Sequence, residues 1–145
     1  MNYKLKEEKI SKIIQTIFDL DNKIYTERYH LRSKDLKQLS GYMEGSKVYV
    51  AYDGEIPIGY IAYRKKCNEV NIPSLAVLSQ YRNKGIGTVL MKKLMEKLKK
   101  HKFHLTTHPA NSRAIRFYLK FGFTISALKD NYYGKDQPRL ILIKE

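Results

Sequence analysis

Apolar residues at Ile10, Ile13, Ile14 and Ile17 recur at three- and four-residue steps within a polar stretch, which predicts an amphipathic helix over residues 7–20. A short strand over 2–6 precedes it, and Asp21-Asn22 reads as its stop. Ser33 is placed to cap a second helix over 34–42, its hydroxyl accepting from an early helical N–H. Alternation over 47–52, with Val48 and Val50 on one side, predicts a strand; Asp53-Gly54 supplies a hairpin turn and 56–63 the returning strand. A basic turn at Arg64-Lys65-Lys66 leads into a strand over 69–78. Residues 86–101 form the clearest helix, with Ile86, Val89, Leu90, Leu94 and Leu98 as its apolar stripe. A strand over 103–107, a helix capped by Asn111 and ended by Gly122, and strands over 123–128 and 140–143 complete the pattern. A polar loop over 129–139 separates the last two strands.

No linker or repeat interrupts these 145 residues, so one domain is expected. The formal net charge of +14 attracts polyanions. Its densest group, Lys92, Lys93, Lys97, Lys99, Lys100 and Lys102, reads first as the solvated face of a helix. A nucleic-acid surface is the second alternative, without aromatic-rich RNA-binding or zinc-finger spacing to support it. The single cysteine, Cys67, excludes an internal disulfide and a multi-cysteine metal site and suits a reducing compartment. No metal site is expected. Residues 1–9 are charged rather than leader-like, and no apolar run approaches the length of a membrane span, so a cytoplasmic, non-membrane protein is expected. Monomer and homodimer both remain open.

The candidate chemistry centres on an apolar strand, a basic glycine turn and a helix start. Arg82, Asn83, Lys84, Gly85, Ile86, Gly87 and Thr88 form R-x-x-G-x-G plus a threonine. Glycines let the backbone approach a phosphate, and a helix N-terminus offers unpaired N–H groups and positive potential. The Walker pattern G-x-x-x-x-G-K-[ST] is absent, and the third glycine of a dinucleotide fingerprint is missing.

One strand later the chain reads N-S-R-A-I-R-F-Y-L-K-F-G-F from Asn111 to Phe123. Together with L-A-V-L-S-Q-Y-R-N-K-G-I-G this resembles the two hallmark motifs of the GNAT superfamily of acyl-CoA-dependent N-acetyltransferases. The resemblance implies an α/β (α+β) fold with a mixed, mostly antiparallel central sheet flanked by helices and splayed beside Val77. It implies acetyl-CoA as donor and an amine as acceptor, joined directly in a ternary complex. Leu75, Ala76 and Val77 then hold the pantetheine arm and thioester carbonyl, Arg82 to Thr88 the pyrophosphate, and Asn111 the cofactor arm. Phe117 and Tyr118 lie at the thiol end, with Tyr118 as general acid. A protein N-terminus, a lysine and a small amine all remain open as acceptors. A catalytically silent module that binds acyl-CoA or nucleic acid is the alternative.

The base is not assigned by the resemblance. Where some members place a glutamate on the strand before the phosphate turn, this chain has Asn71; where others place one on the next strand, it has Thr106. Glu69, two residues from Asn71, and His108 are the candidates, beside a water chain with no dedicated base. Asn131-Tyr132-Tyr133-Gly134 resembles a segment flanking the peptide site in protein N-terminal acetyltransferases. Tyr132 and Tyr133, with Tyr25 and Tyr29 on the opposite wall, are the candidate acceptor contacts. The lysine and arginine that follow at Lys135 and Arg139 depart from the acidic version of that segment.

Overall fold

The computed structural model describes residues 3–27, 30 and 32–145. Its elements are β1 (Lys4–Lys9), α1 (Ile10–Ile24), α2 (Leu36–Tyr42), β2 (Lys47–Asp53), β3 (Ile56–Lys66), β4 (Glu69–Val77), α3 (Ile86–Lys97), β5 (Lys102–Thr107), α4 (Ser112–Lys120), β6 (Thr124–Lys129) and β7 (Arg139–Lys144). The strands form one sheet in the order β1-β2-β3-β4-β5-β7-β6. Every neighbouring pair is antiparallel except β4 and β5. This is the mixed, mostly antiparallel sheet expected.

Five boundaries differ from the sequence expectation. Glu7 and Glu8 belong to β1, where they pair with Tyr49 and Val48, so α1 starts at Ile10. It does not stop at Asp21-Asn22: Ile13, Ile17, Leu20 and Ile24 are all buried, and the apolar stripe carries the helix one more turn. Asp35, not Ser33, caps α2 by accepting from the Gln38 N–H at 2.8 Å. Arg64, Lys65 and Lys66 stay in β3, and the turn falls at Cys67, whose φ is +56°. α3 ends at Lys97, short of the expected residue 101.

The two sheet faces are covered by different helices. α1 lies on the face that carries Tyr60 and Ser74, because Asp21 and Tyr25 bond to them. α3 lies on the other face: Lys97 Nζ sits 5.4 Å and 5.8 Å from the ring centres of Tyr49 and Tyr63 and 2.9 Å from Glu7 Oε1. One member of the dense lysine group is thus engaged in holding helix to sheet.

The parallel pairing of β4 with β5 covers only Glu69, Val70 and Asn71. β4 then runs six residues further, to Val77, paired with β3 alone. The sheet therefore splays from Ile72 onward. The Leu78 N–H bonds to Ile58 O at 2.8 Å. By the alternation of an antiparallel ladder, the backbone groups of Leu75 and Val77 then point away from β3 and into the gap.

β3 can approach this segment closely only because residue 59 is glycine. A Cβ there would stand 2.8 Å from Ala76 O, a backbone atom that cannot move alone. Gly59→Ala is expected to destabilise the fold by about 1–3 kcal/mol, measured as a lower urea midpoint at unchanged slope.

Candidate active site

The gap opens into a cleft of about 550 Å³ between the end of β4, the start of α3 and α4. That lies within the roughly 300–1,000 Å³ typical of ligand sites. Asn83 and Gly85 take positive φ, +60° and +81°, and turn the chain sharply into α3. The first helical bond of α3 is Val89 N–H to Gly85 O. The amides of Ile86, Gly87 and Thr88 therefore have no acceptor within the helix and face the cleft end. Of the residues expected at the cofactor, Leu75, Ala76, Val77, Arg82, Asn83, Gly85, Ile86, Gly87, Thr88, Asn111, Phe117 and Tyr118 line it. Lys84 does not; its ammonium lies 5.5 Å over the Tyr81 ring. Among the described residues, Arg113 and Arg116 join Arg82 in the lining, against one carboxylate, Glu27. No motif marks these two arginines as phosphate contacts; the available signal is their three-residue spacing, which puts them on one side of α4. Three cations and a helix start suit a polyphosphate.

A second, smaller cavity of about 140 Å³ lies beside the first. It approaches the roughly 150 Å³ that holds a benzene-sized group. Tyr25, His30, Leu75, Asn111, Ala114 and Tyr118 border both spaces, so the two meet at one junction. Asn111 is fixed there as the cap of α4, its side chain accepting from the Ala114 N–H at 3.2 Å. Tyr118 is buried, its ring edge-on to Phe117 and Phe123, and burial pushes its phenol well above the usual tyrosine range. Tyr25, the residue after α1, is half-buried with its hydroxyl against Ser74, and burial of that hydroxyl raises its phenol in the same way.

Asp21, on the last turn of α1, also lines the smaller cavity and is only 6% exposed. The Tyr60 hydroxyl donates to its Oδ1 at 2.5 Å. Burial pushes the Asp21 carboxyl up to about 7, against the lowering effect of that hydrogen bond. Asp21 is thus a buried side chain rather than the helix stop expected from Asp21-Asn22. The missed signal is its place in the stripe, four residues after Ile17 and three before Ile24.

The structure separates the two candidate bases. Glu69 starts β4, exposed, and lines neither space. Eight residues separate it from Val77, roughly 26 Å along a strand. His108 does line the smaller cavity, but its Nδ1 accepts from the Ala110 N–H at 3.0 Å. Its neutral ring therefore carries the proton on Nε2 and is a donor there. Burial and Arg139 lower its affinity for a second proton. His30 is held likewise, with Nδ1 accepting from the Glu27 N–H at 3.2 Å.

Of the acceptor-site tyrosines, Tyr133 lines the smaller cavity under the Arg139 guanidinium, 5.1 Å from its ring centre. Its hydroxyl lies 3.5 Å from Thr106 Oγ1. Tyr132 is exposed and packs edge-on against Tyr133. Tyr29 lies outside the described residues. Asn71 is engaged by Arg64 and lies 3.3 Å from His104 Nδ1. Cys67 is an exposed free thiol in the β3–β4 turn. Among the described residues, no group of three or more His, Cys, Asp or Glu is arranged to hold a metal ion. No described helix is long and apolar enough to cross a membrane.

A splayed sheet with two spaces sharing one wall is the architecture of a two-ligand group-transfer protein. The chain belongs to the acetyltransferase (GNAT) family, whose model matches residues 14–123. It is 27% identical over 139 residues to the zebrafish (Danio rerio) N-alpha-acetyltransferase 50, covering 90% of this chain and 76% of that one. It is 34% identical over 102 residues to a probable N-acetyltransferase, san, of Drosophila melanogaster, covering 65% of this chain. The match spans 55% of the fly protein's length. The fold superposes on Arabidopsis thaliana Naa50, solved with a bisubstrate analogue, CoA-Ac-MVNAL, at a TM-score of 0.81 and 26% identity, covering 100% and 99% of the two chains.

Proposed function

We propose that this chain transfers the acetyl group of acetyl-CoA to a primary amine, by direct attack while both ligands are bound. The observation that carries this is the junction: a cleft suited to a polyphosphate and a side-chain-sized cavity meet at Tyr25, Leu75, Asn111 and Tyr118. A silent binding module has no use for the second space. The relatives' names and the peptide-bearing analogue in Arabidopsis Naa50 support an amine acceptor, with a peptide N-terminus as its leading form. The exposed thiol of Cys67 supports a reducing, cytoplasmic setting.

The residues fit the donor. Arg82, Arg113, Arg116 and the amides of Ile86, Gly87 and Thr88 would hold the pyrophosphate. Leu75 and Val77 would pair their outward backbone groups with the pantetheine arm, in the place a neighbouring strand normally takes. When bound, the thioester supplies an activated acetyl group. A strand N–H in the gap is preorganised to stabilise negative charge on the carbonyl oxygen. Tyr118, kept neutral by burial, donates a hydrogen bond toward the leaving sulfur.

Acetyl-CoA at one hundred times its dissociation constant is expected to stabilise the protein by about 2.7 kcal/mol, raising Tm by about 5–10 °C. Release of CoA thiol across a panel of peptides and small amines then reports transfer. No thermal shift at millimolar acetyl-CoA would remove the donor assignment.

A further inference from the structure

Three hydrogen bonds link the buried carboxyl of Asp21 to the junction. Tyr60 donates to Asp21 Oδ1 at 2.5 Å, Tyr60 and Ser74 hydroxyls lie 2.9 Å apart, and Ser74 and Tyr25 hydroxyls 2.5 Å apart. The four groups come from α1, β3, β4 and the residue after α1, and all are buried or, for Tyr25, buried at the hydroxyl. Among the described residues, no lysine or arginine forms an ion pair with Asp21. A buried carboxylate without a cation weakens a fold, and retaining one beside a reaction site suggests a use.

The protons in this chain have a forced order when Asp21 is ionised. A carboxylate only accepts, so Tyr60 gives its single proton to Asp21. Tyr60 oxygen then accepts from Ser74, and Ser74 oxygen accepts from Tyr25. Tyr25 has given its proton inward, so its oxygen presents a lone pair toward the junction. We propose that this chain is the proton exit for the acceptor amine: Tyr25 receives the proton and Asp21 is its terminal acceptor. The proposal rests on the transferase reading above.

The step balances without a further reactant. An ammonium N–H proton passes to Tyr25 oxygen as the Tyr25 proton moves to Ser74, the Ser74 proton to Tyr60 and the Tyr60 proton to Asp21. The amine is left neutral with its lone pair free to attack, and the chain is left with its hydrogen bonds reversed and Asp21 protonated. Burial raises both phenols, so neither stands as a phenolate; they conduct, and only the carboxyl stores the proton. Other titratable or charged groups around the cavity do not take this role. His30 and His108 have Nδ1 committed to backbone N–H groups, Arg139 is a cation, and Tyr42, Tyr118 and Tyr133 are phenols.

The basicity of the acceptor amine sets how readily it gives a proton to this relay, whose terminal group titrates near pH 7. An α-amine, with a reference value of about 7.7–8.0, gives up its proton to such a group at a cost of roughly tenfold in population. A lysine side chain, at about 10.4, costs more than roughly a thousandfold. An α-amine therefore feeds this relay on the order of a hundredfold or more readily than a lysine side chain, a difference set by the amines themselves.

The test is steady-state kinetics of Asp21→Asn and Ser74→Ala with a peptide α-amine, each with Tm and acetyl-CoA affinity measured in parallel. Asp21→Asn keeps an acceptor for Tyr60 but no site for a proton. It should lower kcat about 10²-fold, leave acetyl-CoA affinity unchanged and abolish the acid limb near pH 7 in the profile of kcat/KM. Ser74→Ala removes one link and should lower kcat with Tm little changed. An infrared carboxylic-acid band that grows as pH falls through 7 in wild type, and is missing in Asp21→Asn, is expected independently of turnover. Wild-type kcat in Ser74→Ala, a wild-type acid limb in Asp21→Asn, or no such band would each overturn the relay while leaving the transferase reading intact. A wild-type protein that acetylates no amine would overturn both.

Discussion

Tyr118→Phe lowers kcat by about 10²–10³-fold, the loss expected when one preorganised donor to a developing charge is removed, and leaves CoA affinity nearly unchanged. The substitution removes one oxygen and little else. The ring is held by edge contacts to Phe117 and Phe123 at 5.5 and 5.7 Å between centres, and phenylalanine preserves both. Because burial raises the phenol, Tyr118 is fully protonated at every working pH. A departing thiolate, with a reference pKa of about 8.5, is a weaker base than such a phenolate. The contribution is therefore a charge-assisted hydrogen bond rather than a completed proton transfer. It follows that the loss is the same from about pH 6 to pH 9, unlike the loss in Asp21→Asn, which reshapes the acid limb. Thiol-release kinetics across pH and calorimetric CoA titration separate the two. Wild-type turnover in Tyr118→Phe would remove its role.

Much of the architecture is legible in the chain because each signal is local. The Asn111 cap is set within one element and the structure keeps it; the α3 stripe holds at Ile86, Leu90 and Leu94 while Val89 is exposed, and β2 is buried on both faces from Val48 to Ala51 because helices cover both sides of the sheet. The misplaced boundaries are those decided by a distant partner. Glu7 and Glu8 have helical neighbours in sequence but are taken by pairing with β2. Arg64 to Lys66 look like a charged turn, yet β4 extends the ladder through them.

The candidate site divides the same way. The donor cleft is built from one strand, turn and helix start plus the face of α4, so contiguous motifs expose it. Lys84 shows that charge alone does not say where a turn residue points: it is not in the cleft lining, and its ammonium lies over the ring of Tyr81, which is. The acceptor side is assembled from α1, α2, β4, the end of β5, α4 and the segment leading into β7, which span residues 21 to 139 of the chain. Glu69 has the right strand face and the wrong height. Asp21 has the right place and no motif, since its neighbours Tyr60 and Ser74 lie 39 and 53 residues away in a chain numbered 1–145.

Asp21 also predicts an unusual dependence of stability on pH. Its carboxyl sits at about 7 in the folded protein against 3.8 for an ordinary aspartate. Between those values the unfolded chain has released a proton that the folded chain still holds, so raising pH favours unfolding. This contribution to stability is therefore fully present below about pH 4, lost progressively to about pH 7 and constant above. About three units at about 1.4 kcal/mol each amounts to about 4 kcal/mol. Groups of opposite sign act in the same range: burial lowers His30 and His108, so their contribution grows as pH rises, and Lys97 lowers Glu7, whose contribution is lost as pH falls. Those groups are common to wild type and Asp21→Asn, and their effects cancel in the difference between the two. Asp21→Asn should match wild type near pH 4, where an amide replaces a neutral carboxyl that accepts from the same Tyr60 hydroxyl. At pH 8 it should be the more stable by about 4 kcal/mol, or about 10 °C in Tm for a chain of this length. Equal melting temperatures at pH 8 would show that the buried carboxyl is not destabilised. A variant that gains this stability while losing turnover would show that the ionisable group is kept at the expense of the fold, for the reaction.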